Sequence, residues 1–148
     1  MKVLSDLNPK LEDTIVSVVE EGNILQTNKD YKAALQKYQA AWDLLPAPQL
    51  NWEIASWIAS CFYSVHFECA AYAEAKKWAE ISLNTRSSDI DTAPLIDLGM
   101  VCHELGQDEE AYAYFHDAYR YGKQRAFRER PKKYLDFYLN HAATNPRP

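Results

Sequence analysis

The chain has 148 residues, 47% of them hydrophobic and 25% charged. That is the composition of an ordinary globular protein and the length of a single domain, able to bury roughly 68–70% of its unfolded surface without metal or disulfides. No run approaches 18 apolar residues, which excludes a membrane-spanning helix, and the first nine residues carry no secretory signal core before polar Ser5, Asp6 and Asn8. Three cysteines, an odd and sparse count, suit a reducing cytoplasm better than a disulfide framework.

In chain order, Asn8-Pro9 supplies a helix cap and a first-turn proline, predicting a helix over Pro9–Thr27. Asn28-Lys29-Asp30 makes a polar turn, and helix resumes over Tyr31–Leu45 until Pro46-Ala47-Pro48 stops it. Leu50–Phe67 and Tyr72–Leu83 form the next pair, followed by a polar break at Asn84–Asp91. A third pair covers Thr92–Leu105 and Asp108–Tyr121 around Gly106-Gln107, and Pro131 opens a last helix, Lys132–His141, with Tyr134, Leu135, Tyr138 and Leu139 on one side. Asn145–Pro148 reads as a frayed end. The expectation is seven helices and no strand.

Two segments align at a constant offset of 77: Gly22 with Gly99, Ala34 with Ala111, Tyr38 with Phe115, and Ala41 with Ala118. The last three positions fall at i, i+4 and i+7 and share one helix face. A small residue on the preceding helix lets two antiparallel helices approach, and the aromatic fills the wedge between them. For the middle segment the counterparts are Ser60, Tyr63, Ala75 and Ser82, but Ser60 to Ala75 spans 15 residues instead of 12, which predicts a longer turn around His66–Ala71 or an extended helix.

This pattern resembles the tetratricopeptide repeat, a helix-turn-helix unit. Ile15–Pro48 has Gly22, Leu25, Asp30-Tyr31, Ala34, Tyr38, Ala41 and Pro46 in the family's places, and the segment from Thr92 has Leu95, Leu98-Gly99, Gly106, Ala111, Phe115 and Ala118. The resemblance implies an all-α single domain over residues 1–148. Its α-solenoid has three repeats at about 15–48, 49–86 and 92–125 and a capping helix at about 131–142. More narrowly, "LLPAPQLNWEIASWI", "LGMVCHELGQDEEAYAYFHDAY" and "RPKKYLDFYL" are similar to small bacterial tetratricopeptide proteins encoded beside polymorphic or Rhs-type toxins and taken to be immunity proteins.

The charge supports a protein partner. Residues 1–119 carry 8 Lys and Arg against 19 Asp and Glu, whereas residues 120–148 carry 8 against 2. An acidic body repels nucleic-acid phosphates and steers basic proteins toward itself. The basic end (Arg120, Lys123, Arg125, Arg128, Arg130, Lys132, Lys133, Arg147) reads as a cationic helix lying against that body, or as a solvated face.

Little points to chemistry. Cys61, His66 and Cys69 are near one another and Cys102-His103 are neighbours, but neither has zinc-ligand spacing. Cys61 and Cys102 sit among apolar residues as small hydrophobes do. There is no nucleophile elbow, phosphate loop or dinucleotide fingerprint. No enzyme activity, cofactor or metal is expected.

The resemblance implies a concave groove lined by the first helix of each pair: Val19, Asn23 and Gln26, then Trp57 and Cys61, then Ile96, Met100 and His103. Asn23 matches the asparagine of family members that clamp a peptide carboxylate, but Val19 stands where they have lysine, which disfavours that ligand. The terminal helix either caps the third pair or leaves it open. Two partners suit such a groove: a cognate toxin, such as a basic nuclease domain, or a helical peptide held by an adaptor or assembly chaperone. No membrane or nucleic-acid partner is expected, and no oligomeric state is assigned.

Overall fold

The computed structural model describes residues 2–144. Among them are seven α-helices and no strand: α1 (Pro9–Thr27), α2 (Tyr31–Leu44), α3 (Ile54–Glu68), α4 (Tyr72–Thr85), α5 (Ala93–Glu104), α6 (Asp108–Gly122) and α7 (Lys132–Thr144). The frayed end expected at Asn145–Pro148 lies outside the described residues. Helix α1 opens as its sequence predicts: the Leu11 N–H donates to Asn8 Oδ1 at 3.1 Å, and Pro9 occupies the first turn.

Helix α3 begins four residues later than expected. Gln49–Asn51 forms a 3-10 turn instead, and Trp52 Nε1 donates to the Pro46 carbonyl at 2.8 Å. The chain start is stitched to the same place: Lys2 N–H donates to Asn51 O and Glu53 N–H to Lys2 O, forming an isolated bridge. Those backbone groups are spent outside any helix, so an apolar run that looked helical from Leu50 cannot start there.

The chain separates into two compact units, the first ending at Ser87 and the second beginning at Ser88. The boundary falls inside the Asn84–Asp91 break, where the one-domain reading drew none. In the first unit α1 pairs with α2 and α3 with α4, with α2 also against α3. Its core holds Ile15, Val19, Tyr38, Ile58, Phe62 and Val65, with Leu4 brought in from the N-terminal segment. Trp78 stacks on Phe62 at 3.9 Å and meets Trp42 edge-on at 5.2 Å. In the second unit α5 pairs with α6, and α7 packs against α6 and the 3-10 segment Lys123–Phe127.

The three helix pairs share one turn. Each has a residue at positive φ: Lys29 at 63°, Ala70 at 58° and Gly106 at 77°. Each is closed by the same bonds: Asp30 N–H to Leu25 O, Ala71 N–H to His66 O, and Gln107 N–H to Cys102 O. Only the third places glycine at a φ that glycine adopts freely. The second helix of each pair then starts alike, with Ala34, Ala75 and Ala111 N–H donating to the carbonyls of Asp30, Ala71 and Gln107.

This common turn corrects the register of the middle pair. The position eight residues before the turn's last residue is Gly22, Tyr63 and Gly99, and the position eight after it is Tyr38, Ala79 and Phe115. The middle turn is therefore neither longer nor extended. The counterpart of the two glycines is Tyr63, not Ser60, and the size order is inverted, with the large residue on α3 and the small one on α4. In the outer pairs the close approach is plain: a Cβ on Gly22 would lie 2.6 Å from the Tyr38 ring, and one on Gly99 would lie 2.3 Å from the Phe115 ring. On α3 and α4 small residues meet elsewhere, where Ser56 Oγ donates to Ser82 O at 2.8 Å and Ser82 Oγ to Ser56 O at 3.1 Å.

Candidate binding surface

In the first unit α1 and α3 run past one another so that Gln26 reaches across. Its Nε2 donates to Ser64 Oγ at 2.8 Å and to Glu68 Oε1 at 2.9 Å. The Tyr38 hydroxyl, from α2, lies 2.7 Å from both Gln26 Oε1 and Asn23 Oδ1, its one proton shared between two acceptors. The Cys61 thiol donates to Asn23 Oδ1 at 3.8 Å. At the surface the Glu68 carboxylate beside the Tyr31 hydroxyl pushes the phenol's pKa up. Burial pushes that of Tyr38 up further still. The chain of bonds ends in a polar depression of about 400 Å³ lined by Asn23, Gln26, Thr27, Lys29, Tyr31 and Glu68.

The expected groove residues divide sharply. Asn23 and Gln26 are half-buried members of this network. Val19 is fully buried and Cys61 nearly so, so both belong to the core and not to a contact surface. Val19 is sealed because α3 covers that turn of α1. Burial also raises the Cys61 pKa to about 11, which leaves the thiol protonated and inert at neutral pH. The corrected register shifts the α3 positions as well: Ser60 and Ser64 stand where Trp57 and Cys61 were expected. Trp57 is nonetheless the most exposed tryptophan at 37%, while Trp52 is buried at 7%.

In the second unit the matching face of α5 is covered. Ile96 is fully buried and Met100 nearly so; neither is a free groove residue. Met100 Sδ lies 3.3 Å from an Arg130 nitrogen, and the same guanidinium donates to the Asp97 carboxylate. Burial pushes the Asp97 carboxyl above its ordinary value, with Arg130 opposing the shift. His103 packs against Phe137 at 4.5 Å and Tyr134 at 5.9 Å, and its Nδ1 lies 3.2 Å from Asp108. Glu104 Oε1 accepts from Lys133 Nζ and the Tyr134 hydroxyl, each at 2.6 Å, and these bonds hold its pKa below the usual value.

Helix α7 thus meets the last turn of α5 at His103 and Glu104. Of the four residues expected on the inner side of α7, Tyr134 and Tyr138 are buried, Leu135 is half-buried and Leu139 is 38% exposed, while half-buried Phe137 and His141 join the ring contacts. His116 Nδ1 and the Tyr138 hydroxyl meet at 2.9 Å, and Tyr138 stacks on Tyr112 at 5.3 Å. Aromatic residues prevail because their rings contact several neighbours and still place a polar tip on a partner. The cationic end is used in part for this: Arg130 and Lys133 are paired, whereas Arg125, Arg128 and Lys132 are exposed.

Sequence reasoning missed Ser64 and Glu68 as partners of Gln26, and Asp97 as the seat of Arg130. The common turn is the signal that would have found the first set, since counting back from Ala71 puts Ser64 and Glu68 level with Asn23 and Thr27. Among the described residues no three His, Cys, Asp or Glu side chains gather as a metal ion needs, and no helix is long and apolar enough to cross a membrane. No protein-family model matches the chain, and no curated protein matches it.

Proposed function

We propose that the three helix pairs are tetratricopeptide repeats and that the protein is a binding module without catalytic activity, which as an immunity protein captures and neutralises a basic toxin domain in the bacterial cytoplasm. The observation that carries this reading is the recurrence of one turn, with one pattern of bonds, in all three pairs. A scaffold built by repetition presents surface and does not converge on a reacting centre. Two buried ionisable groups support it, being spent on structure: Asp97 on Arg130, and Tyr38 on Asn23 and Gln26. The immunity role rests on the narrower resemblance and on the acidic charge of residues 1–119.

In this reading the toxin is blocked sterically, and charge complementarity speeds encounter and selects the partner more than it adds affinity. The contact surface lies on the first unit, at Trp57 and the polar depression. Co-expression with the toxin domain encoded beside this gene is the test. Growth should be rescued, and rescue should weaken with Trp57→Ala while the protein stays folded. An active toxin that kills equally with and without this protein would end the reading.

A further inference from the structure

Glu68 is held unlike an ordinary exposed carboxylate. One of its oxygens accepts from Gln26 Nε2 at 2.9 Å, and Tyr31 lines the same depression. Gln26 is itself fixed on both sides, by Ser64 Oγ and by the Tyr38 hydroxyl, and Tyr38 is fully buried. The carboxylate is therefore anchored to the core through Gln26, a neutral donor that brings no opposing charge. A carboxylate offers about four lone-pair positions, so acceptor capacity remains toward the depression. Lys29 lines that depression too.

We propose that the depression takes a guanidinium or ammonium side chain from a basic polypeptide, with Glu68 as the charged acceptor and Asn23 and Gln26 as its neutral wall. A flexible surface glutamate would lose side-chain entropy on pairing; one already fixed loses little, which is how preorganisation raises affinity. The site deepens the reading of a basic toxin partner and rests on it for the identity of the polypeptide. Lys29 sets a selectivity of its own, since its charge opposes entry of any cation that does not bring further contacts.

The test titrates isotope-labelled protein with acetyl-Ala-Arg-Ala-amide at low salt, followed by NMR. A second peptide carries citrulline, the neutral counterpart of arginine, and spermidine serves as a free cation. Saturable shifts are expected at the Gln26 side-chain amide and around residues 26–31 and 68 with the arginine peptide and not with the citrulline one. Glu68→Gln keeps the hydrogen bonds and removes the charge, and should weaken binding about fivefold, the scale of a partly exposed ion pair. Glu20→Gln, the same charge change on the exposed side of α1, should leave it unaltered, and Lys29→Gly should tighten it. Equal binding by wild type and Glu68→Gln, or shifts that map elsewhere, would overturn the site. Tighter binding of spermidine than of the peptide would overturn the polypeptide as its source. The tripeptide carries no toxin surface, so this outcome is decided independently of growth rescue.

Discussion

The inner faces of α1 and α5 occupy the same register relative to the same turn, yet they end in different chemistry. Asn23, Gln26 and Thr27 on α1 correspond to Met100, His103 and Glu104 on α5. On α1 the covering helix is α3, which brings Ser64 and Glu68; the joint is a set of hydrogen bonds from the neutral amide of Gln26 that stops short of sealing the surface and leaves a depression. On α5 the last turn meets α7, which brings Lys133, Tyr134 and Phe137 against His103 and Glu104; that joint is ionic and aromatic. A single packing scheme thus yields an open polar shelf or a closed end, depending on which helix follows. The difference lies in the third helix and not in the pair itself.

The largest expected effect falls on the closed end. Arg130→Ala leaves the Asp97 carboxylate buried without its cation and should destabilise the second unit by about 3–5 kcal/mol, read from denaturant unfolding. Replacing both partners with apolar residues of similar size should recover most of that loss, which separates a broken pair from a lost side chain. Gly99→Ala comes next: its methyl would meet the Phe115 ring, and overpacking of this kind costs about 1–3 kcal/mol. Phe115→Leu in the same chain should return part of it, and if Gly99→Ala unfolds like wild type, the assigned α5–α6 contact is wrong.

On the open side, Gln26→Ala removes the bonds to Ser64 and Glu68 and one acceptor of Tyr38. Each hydrogen bond is worth about 1 kcal/mol net, and partial rescue by water at this exposed edge should keep the loss near 1–2 kcal/mol. The smallest effects separate the two regions by pH. Burial lowers the His66 pKa from its ordinary 6.5, so its neutral form favours the folded first unit, and that contribution is lost as pH falls below 6.5 through the lowered value. Glu104 is held below its ordinary 4.5 by Lys133 and Tyr134; its contribution to the second unit is complete above 4.5 and disappears only as pH falls through the lower folded value. Melting temperatures of His66→Gln and Glu104→Gln against pH should therefore converge on wild type in two separate windows.

Much of this architecture was legible because helix starts and packing contacts leave local marks. Asn8-Pro9, Asp30 and the Gly22–Tyr38 and Gly99–Phe115 spacings each sit in a short stretch of sequence and act within it. The middle pair escaped because its wedge is inverted: a search for a small residue ahead of the turn passes over Tyr63, and a search for an aromatic after it passes over Ala79. The start of α3 escaped because a tertiary contact, Lys2 against residues 51–53, claims backbone that would otherwise be helical. The groove was the least legible part. Position on a helix says which way a side chain points, but only the neighbouring helix decides whether it ends buried like Val19 and Ile96 or at the edge like Gln26. On α7 the sequence placed Tyr134 and Tyr138 inward correctly, whereas Phe137 and His141, at 3–4 spacing from them, take the inward contacts that Leu139 was expected to make.

The central claim is that this chain works by holding another polypeptide. Its most direct test is calorimetric titration of the purified, catalytically silenced toxin domain into the purified protein. The expected result is a saturable one-to-one complex whose affinity falls as salt rises and falls again with Trp57→Ala. Absence of heat and of co-elution at micromolar concentrations of both folded partners would contradict it.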